Sequence, residues 1–195
     1  MISSRELMTG IYGAWRFLHF DRAAVQYIDS SLDGVWKSFY AALVILPAVI
    51  VLRALLVTTN PDIFADIQTS RIAIVFMLDY VFQWVLFPLL MFYIADAMGR
   101  SRQYASFIAA RNWSHTIQLM IIFPPALLVL MISNENPGSP EMLLLVAHMA
   151  TWIYGWFIAR TVLDISGLAA ALIVLTDLTI GLLVSLIGEL LVRAV

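Results

Sequence analysis

Four side chains stand out because the residues around them are apolar. Asp79 lies in the run Ile72–Ala95, Asp177 in Leu168–Leu191, Arg53 near the end of Val35–Val57, and His148 within Met142–Ala159. An ionisable group at the centre of a membrane helix costs at least about 2.5–3.5 kcal/mol, so it comes with a partner or a task. Asp79 and Arg53 fall at similar depth, and a structural ion pair is the plainest reading of both. Asp177 sits mid-segment beside Thr176 and Thr179. It is either a protonated, hydrogen-bonded carboxyl that ties helices together or a site for a proton or cation. His148 reads as a helix–helix hydrogen bond, with a ligand or proton-relay role as the alternative. Together Asp79, Arg53, His148 and Asp177 form a candidate intramembrane polar site.

Other chemistry is missing. There is no cysteine among the 195 residues, which removes thiol catalysis, disulfides and Cys-ligated metals. Three scattered histidines, His19, His115 and His148, have no zinc-binding spacing. No Gly-rich phosphate loop, H-E-x-x-H or G-x-S-x-G elbow occurs. Asp33-Gly34 lacks the further acidic residues of a membrane phosphotransferase and reads as a turn. The expectation is a non-enzymatic protein with no cofactor and no metal. A net charge of −2, from 11 basic and 13 acidic residues, leaves no basic footprint for nucleic acid.

The elements that position the four residues follow from composition. Hydrophobic residues make up 62% and charged residues 12%, about half the roughly 25% charge of soluble domains. Mean hydropathy is +0.91. A chain this apolar needs a bilayer. Segments of about 20 apolar residues span one, and five qualify: 35–57, 72–95, 114–132, 142–159 and 168–191. Their connections are short, and the cluster Asn134-Glu135-Asn136-Pro137-Gly138-Ser139-Pro140 punctuates one of them. Pro47, Pro88 and Pro124-Pro125 interrupt spans and read as kinks in packing helices. Trp84 and Trp152, near mid-span, are expected inside the bundle. Gln83, Gln118 and Asn112 read as interhelical hydrogen-bond formers.

Residues 1–34 carry two amphipathic stretches. Leu7, Met8, Ile11, Tyr12, Trp15 and Leu18 recur at helical spacing. Asp21 would cap a second short helix with Ala24, Tyr27, Ile28 and Leu32 on one face. They either lie in the interface or cover the inner end of the bundle. Gly10 and Gly13 weaken the first helix by about 1 kcal/mol each relative to Ala. Arg5, Glu6, Arg16 and His19 interrupt any apolar core of a signal peptide. The fold expected is therefore an all-α polytopic integral membrane protein. A five-helix transmembrane bundle, 35–195, follows an N-terminal amphipathic interfacial helical segment, 1–34.

Basic residues orient the bundle. With the N-terminus inside, the inner segments hold Arg5, Arg16, Arg22, Lys37, Arg100, Arg102, Arg111 and Arg160, against Arg53, Arg71 and Arg193 outside. That predicts a cytoplasmic N-terminus and an outer C-terminus. Gly155-x-x-x-Ala159 and Gly181-x-x-x-Ser185, continued by Gly188, offer faces for close helix approach. The expected partners are the lipid bilayer and a protein partner or second copy meeting these small-residue faces.

The order of features, a polar N-terminal segment followed by five spans, resembles the Yip1-like membrane superfamily. The second connection, Gly99-Arg100-Ser101-Arg102-Gln103-Tyr104-Ala105-Ser106-Phe107-Ile108-Ala109-Ala110, is similar to its counterpart in bacterial members. So is the apolar, proline-containing Ile121-Ile122-Phe123-Pro124-Pro125. The tyrosine–glycine motif of eukaryotic members is replaced by Arg111-Asn112-Trp113-Ser114, so their small-GTPase partners are not carried over. The resemblance implies a non-enzymatic scaffold, assembly or interaction subunit, multi-pass in a cell inner (plasma) membrane. The alternative, motivated by Asp177, Asp79, His148 and the mid-span prolines, is a small transporter or a proton- or cation-conducting protein.

Overall fold

The structure is a computed structural model that describes residues 2–64, 66–132 and 139–193. All regular elements among these residues are helical. They are α1 (Ser4–Leu18), α2 (Leu32–Ser38), α3 (Tyr40–Thr59), α4 (Pro61–Phe64), α5 (Thr69–Ala97), α6 (Tyr104–Ile132), α7 (Ser139–Val162) and α8 (Gly167–Arg193). Short 3-10 turns occupy Arg22–Tyr27 and Ser101–Gln103. Five stretches are long and apolar enough to cross a membrane: Leu32–Thr59, Thr69–Ala97, Ser101–Ile132, Pro140–Val162 and Gly167–Arg193. The chain is a multi-pass all-α membrane protein. The punctuated loop at 134–138 lies outside the described residues.

Two boundaries differ from those read in the sequence. The third span begins at the second connection, about ten residues before Ser114, so Arg111 and Asn112 lie inside α6. Their polarity reads as a stop, but each has a partner on another helix, and a satisfied polar group does not end a helix. The second amphipathic stretch is not one helix. Asp21 Oδ1 accepts from the Ala23 amide at 2.8 Å and starts a 3-10 turn instead. The chain then bends, and Leu32 opens α2 from an exposed position.

α6 is the central helix. α3 packs on one side of it and α7 on the other; α8 packs on α7, and α5 on α8. The five spans thus curve around a central space. α3 and α5 close the ring mainly through long side chains. Tyr80 Oη donates to the Ala42 carbonyl at 2.6 Å, and Arg53 reaches Asp79. At the distal end Arg71 donates to the Leu191 carbonyl at 2.7 Å, tying α5 to α8.

The proximal end, which carries α1, is densely packed. α1 lies across α6 and α7, with Ala14 and Phe17 wholly buried. Gly10 is a contact position rather than a weak point: a Cβ there would sit 2.4 Å from Trp113 Cε2. A Cβ on Gly13 would come within 3.0 Å of Ile28. Tyr154 Oη donates to the Ala14 carbonyl at 2.7 Å from a buried position on α7. Ser3 and Glu6 cap α1 reciprocally, and Lys37 of α2 reaches Glu6 at 2.6 Å. These helices therefore cover the bundle end, while Met8, Tyr12 and Trp15 remain exposed on the outer side of α1.

Candidate functional site: a polar cavity between two ion pairs

The space inside the ring is a cavity of about 550 Å³, within the size range of small-molecule sites. All four residues singled out in the sequence, Asp79, Arg53, His148 and Asp177, line it. So do Arg111, His115, Gln83 and Thr151, which come from α5, α6 and α7.

Two Arg–Asp pairs mark its ends. Distally, Arg53 Nη2 on α3 donates to Asp79 Oδ2 on α5 at 2.7 Å. Gln83 Nε2, one turn along α5, donates to the same oxygen at 3.0 Å. Asp79 Oδ1 is buried without a partner. Proximally, Arg111 Nε and Nη2 on α6 grip both oxygens of Asp177 on α8, at 3.0 and 2.7 Å. This is the bidentate fork that makes Arg–carboxylate pairs directional. Arg111 Nη1 is left over, buried and unpartnered. Each guanidinium also stacks on an α5 ring: Arg53 over Phe76 at 4.7 Å and Arg111 over Phe87 at 4.4 Å. Phe87 lies eight residues beyond Asp79 on the same helix, so the pairs are separated by about 12 Å along the bundle at 1.5 Å per residue.

The burial of the two pairs is opposite. In the distal pair the carboxylate side chain is 5% exposed and the guanidinium 35%. In the proximal pair the guanidinium is 8% exposed and the carboxylate 32%. Arg53, Asp79 and Ser185 also line a second, smaller cavity of about 270 Å³ toward the distal end, with Asn60, Glu189 and Arg193. The distal ion pair is the partition between the two spaces.

Other details depart from the sequence reading. Asp177 draws nothing from its threonine neighbours: Thr176 and Thr179 donate to their own helix at the Leu172 and Leu175 carbonyls. Its partner is Arg111, a residue the sequence assigns to a connection. His148 bonds within its own helix, Nδ1 lying 2.8 Å from the Leu144 carbonyl. His115 does the same at the Arg111 carbonyl, with its ring 4.9 Å from that of Trp84. His115 thus faces the same cavity as His148, although no group of three or more metal-ligating side chains forms among the described residues. Gln118 bonds Ser114 in its own helix, whereas Asn112 does link helices, donating to Ser38 Oγ at 2.9 Å. Glu189 pairs with Arg193 at 2.5 Å. Trp84 is buried as expected, whereas Trp152 is exposed; both line the cavity.

The small-residue stripes turn inward. Gly188 faces Asp79 and Val75 of α5, and Gly155 faces Val174 of α8. Gly181 and Ser185 line the cavity, and a Cβ added to Gly181 would meet nothing within 4 Å. No family model, curated protein or solved structure matches the chain.

Proposed function

We propose that the protein is a small membrane carrier. In this reading a polar solute binds in the central cavity, and the two Arg–Asp pairs respond to it. One observation carries the reading: two ion pairs from four different helices, each with one buried and one part-exposed partner, line a single space of ligand size. A solute bearing charge competes for one partner of a pair. Loss of a pair removes a tie between α3 and α5, or between α6 and α8, and such ties set which end of the ring is closed. The inward-facing glycines and serine favour this over a scaffold, because the same stripes that would serve a partner serve the cavity instead. The bias of basic residues supports a cytoplasmic N-terminus in a cell inner membrane.

The absence of cysteine allows a direct test. In Gly181→Cys the added side chain enters open space. A small, charged methanethiosulfonate reagent added to membranes is expected to label it, and protection from the reagent at both membrane faces would sink the carrier reading. In proteoliposomes, proton or cation flux under an imposed potential should change in Asp177→Asn. Identical flux in the two proteins removes Asp177 from the pathway.

A further inference from the structure

The hydrogen-bonding capacity left free in the central cavity is lopsided. His115 Nδ1 and His148 Nδ1 each lie 2.8 Å from a backbone carbonyl of their own helix. A carbonyl only accepts, so both nitrogens donate, and Nε2 of each imidazole is the nitrogen left to offer a lone pair. Thr151 commits its hydroxyl proton to the His148 carbonyl at 2.8 Å and also keeps its lone pairs. Asp79 adds a carboxylate to the lining: Arg53 and Gln83 both bond Oδ2, and Oδ1 is buried beside Gly188 with no partner. Against these acceptors stands the unpartnered donor Arg111 Nη1. Trp84 and Trp152 also line the space, and indole rings attract cations. The formal charges of Arg53, Arg111, Asp79 and Asp177 cancel, so the free lone pairs and rings decide what is recognised.

We infer that the cavity takes a small molecule bearing a protonated amine. The Asp79 carboxylate and the histidine Nε2 lone pairs accept its N–H groups, the tryptophans stand beside its charge, and Arg111 Nη1 donates to a neutral oxygen on a ligand that has one. This substrate class rests on the carrier reading.

The test uses the purified full chain in nanodiscs, with calorimetry and tryptophan fluorescence as readouts. The probes are phenethylammonium chloride and, as an anion of similar size, sodium 3-phenylpropionate. Both probes can make charge-assisted bonds, but the free acceptors outnumber the one free donor, Arg111 Nη1, so phenethylammonium is expected to bind saturably and about tenfold more tightly than 3-phenylpropionate. Asp79→Asn should weaken phenethylammonium about tenfold. That variant leaves Arg53 without its ion partner, so Thr151→Val is measured beside it: it removes a neutral acceptor at similar shape and should cost about threefold to tenfold. If 3-phenylpropionate binds as tightly as phenethylammonium or more so, the amine assignment is overturned while the carrier reading stands. The same holds if both variants bind phenethylammonium like wild type. Saturable binding of neither probe to the folded protein overturns both.

Discussion

The proximal third and the central cavity are built from the same helices and obey opposite packing rules. Under α1, side chains mesh until a single methyl group would collide: Gly10 lies against Trp113, and Ala14, Phe17 and Leu163 have no exposed surface. Its polar atoms are mostly bonded across helices, as in Asn112 to Ser38 and Tyr154 to Ala14, with Asn112 Oδ1 unpartnered. One ion-pair depth farther along, the same α6 borders a void of about 550 Å³. The chain does not lack apolar volume to fill that void, since 62% of it is hydrophobic. Glycine, serine and threonine stand at the positions where a Leu would close it: Gly155, Gly181, Ser114, Thr151 and Ser185. Close packing is the default of protein interiors, so a space with ion pairs in a mainly apolar wall, kept open by small residues, is a specified feature of this sequence.

The largest effects should come from the ion pairs, and they should be unequal in a direction set by burial. Removing the exposed partner leaves the buried charge alone. Asp177→Ala strands Arg111 and should cost about 3–5 kcal/mol; Arg53→Ala leaves Asp79 with only the hydrogen bond from Gln83 and should fall toward the lower end of that range. Removing the buried partner, in Asp79→Leu or Arg111→Leu, leaves a group that still reaches a polar environment and should cost less than about half as much. Thermal unfolding in mild detergent measures all four. Equal losses within each pair would break the contrast in burial that distinguishes the two sites.

The glycines give the next largest effect and address the regional contrast itself. Gly10→Ala forces its Cβ into Trp113 and should destabilise by about 1–3 kcal/mol, as overpacking does. Gly181→Ala meets nothing and should be neutral or stabilising by up to about 1 kcal/mol, the helix-propensity gain. A matching loss at both positions in the same unfolding assay would mean that the void is not open in the folded protein.

This contrast was only half legible in the sequence. The spans were, because a run of about 20 apolar residues has one low-energy environment. Arg53 and Asp79 were within reach too, since their distances from the ends of their spans put them at one depth. Arg111 was not. An arginine beside an asparagine reads as the end of a loop, and only Asp177, 66 residues away, makes its place inside α6 affordable. The threonines beside Asp177 were a false local cue, because on a helix a hydroxyl reaches its own i−4 carbonyl first. His115 stands at the very start of the span read in the sequence but well inside α6. Gly10 and Gly13 carry a propensity penalty that is visible in sequence, whereas the aromatic and aliphatic side chains that require them come from other elements. Legibility thus followed sequence separation: depth and amphipathicity are local properties, and pairing across the ring is not.

A smaller effect concerns the bond that joins the cap to the bundle. Tyr154→Phe removes the hydroxyl that donates to the Ala14 carbonyl. The carbonyl keeps its helical position, so the loss should be about 0.5–1.5 kcal/mol. It should appear as faster amide exchange in residues 4–18 with little change in α8. Faster exchange in both would show that cap and cavity unfold as one unit.

The smallest predicted effect separates the regions by pH. Glu6 lies outside the spans, and its carboxyl is lowered from 4.5 to about 2, first by the hydrogen bond from Lys37 and then by those from Ser3. A lowered carboxyl means that the unfolded chain binds more protons in this window, so stability rises with pH there. The contribution of Glu6 to docking α1 is complete above pH 4.5 and is lost as pH falls toward about 2. Lys37 also bonds Asp33 at 2.5 Å, so the lysine stays anchored to α2 and the loss falls on α1. Glu6→Gln removes the titrating group. Amide exchange of residues 4–18, measured between pH 6 and pH 2 and corrected for intrinsic rates, should accelerate on acidification in wild type. In Glu6→Gln the part of that acceleration due to this carboxyl should be absent. Equal acid sensitivity in the two proteins would show that the charged bridge is not what holds the cap down, leaving the contacts of Gly10, Ala14 and Phe17 to hold it.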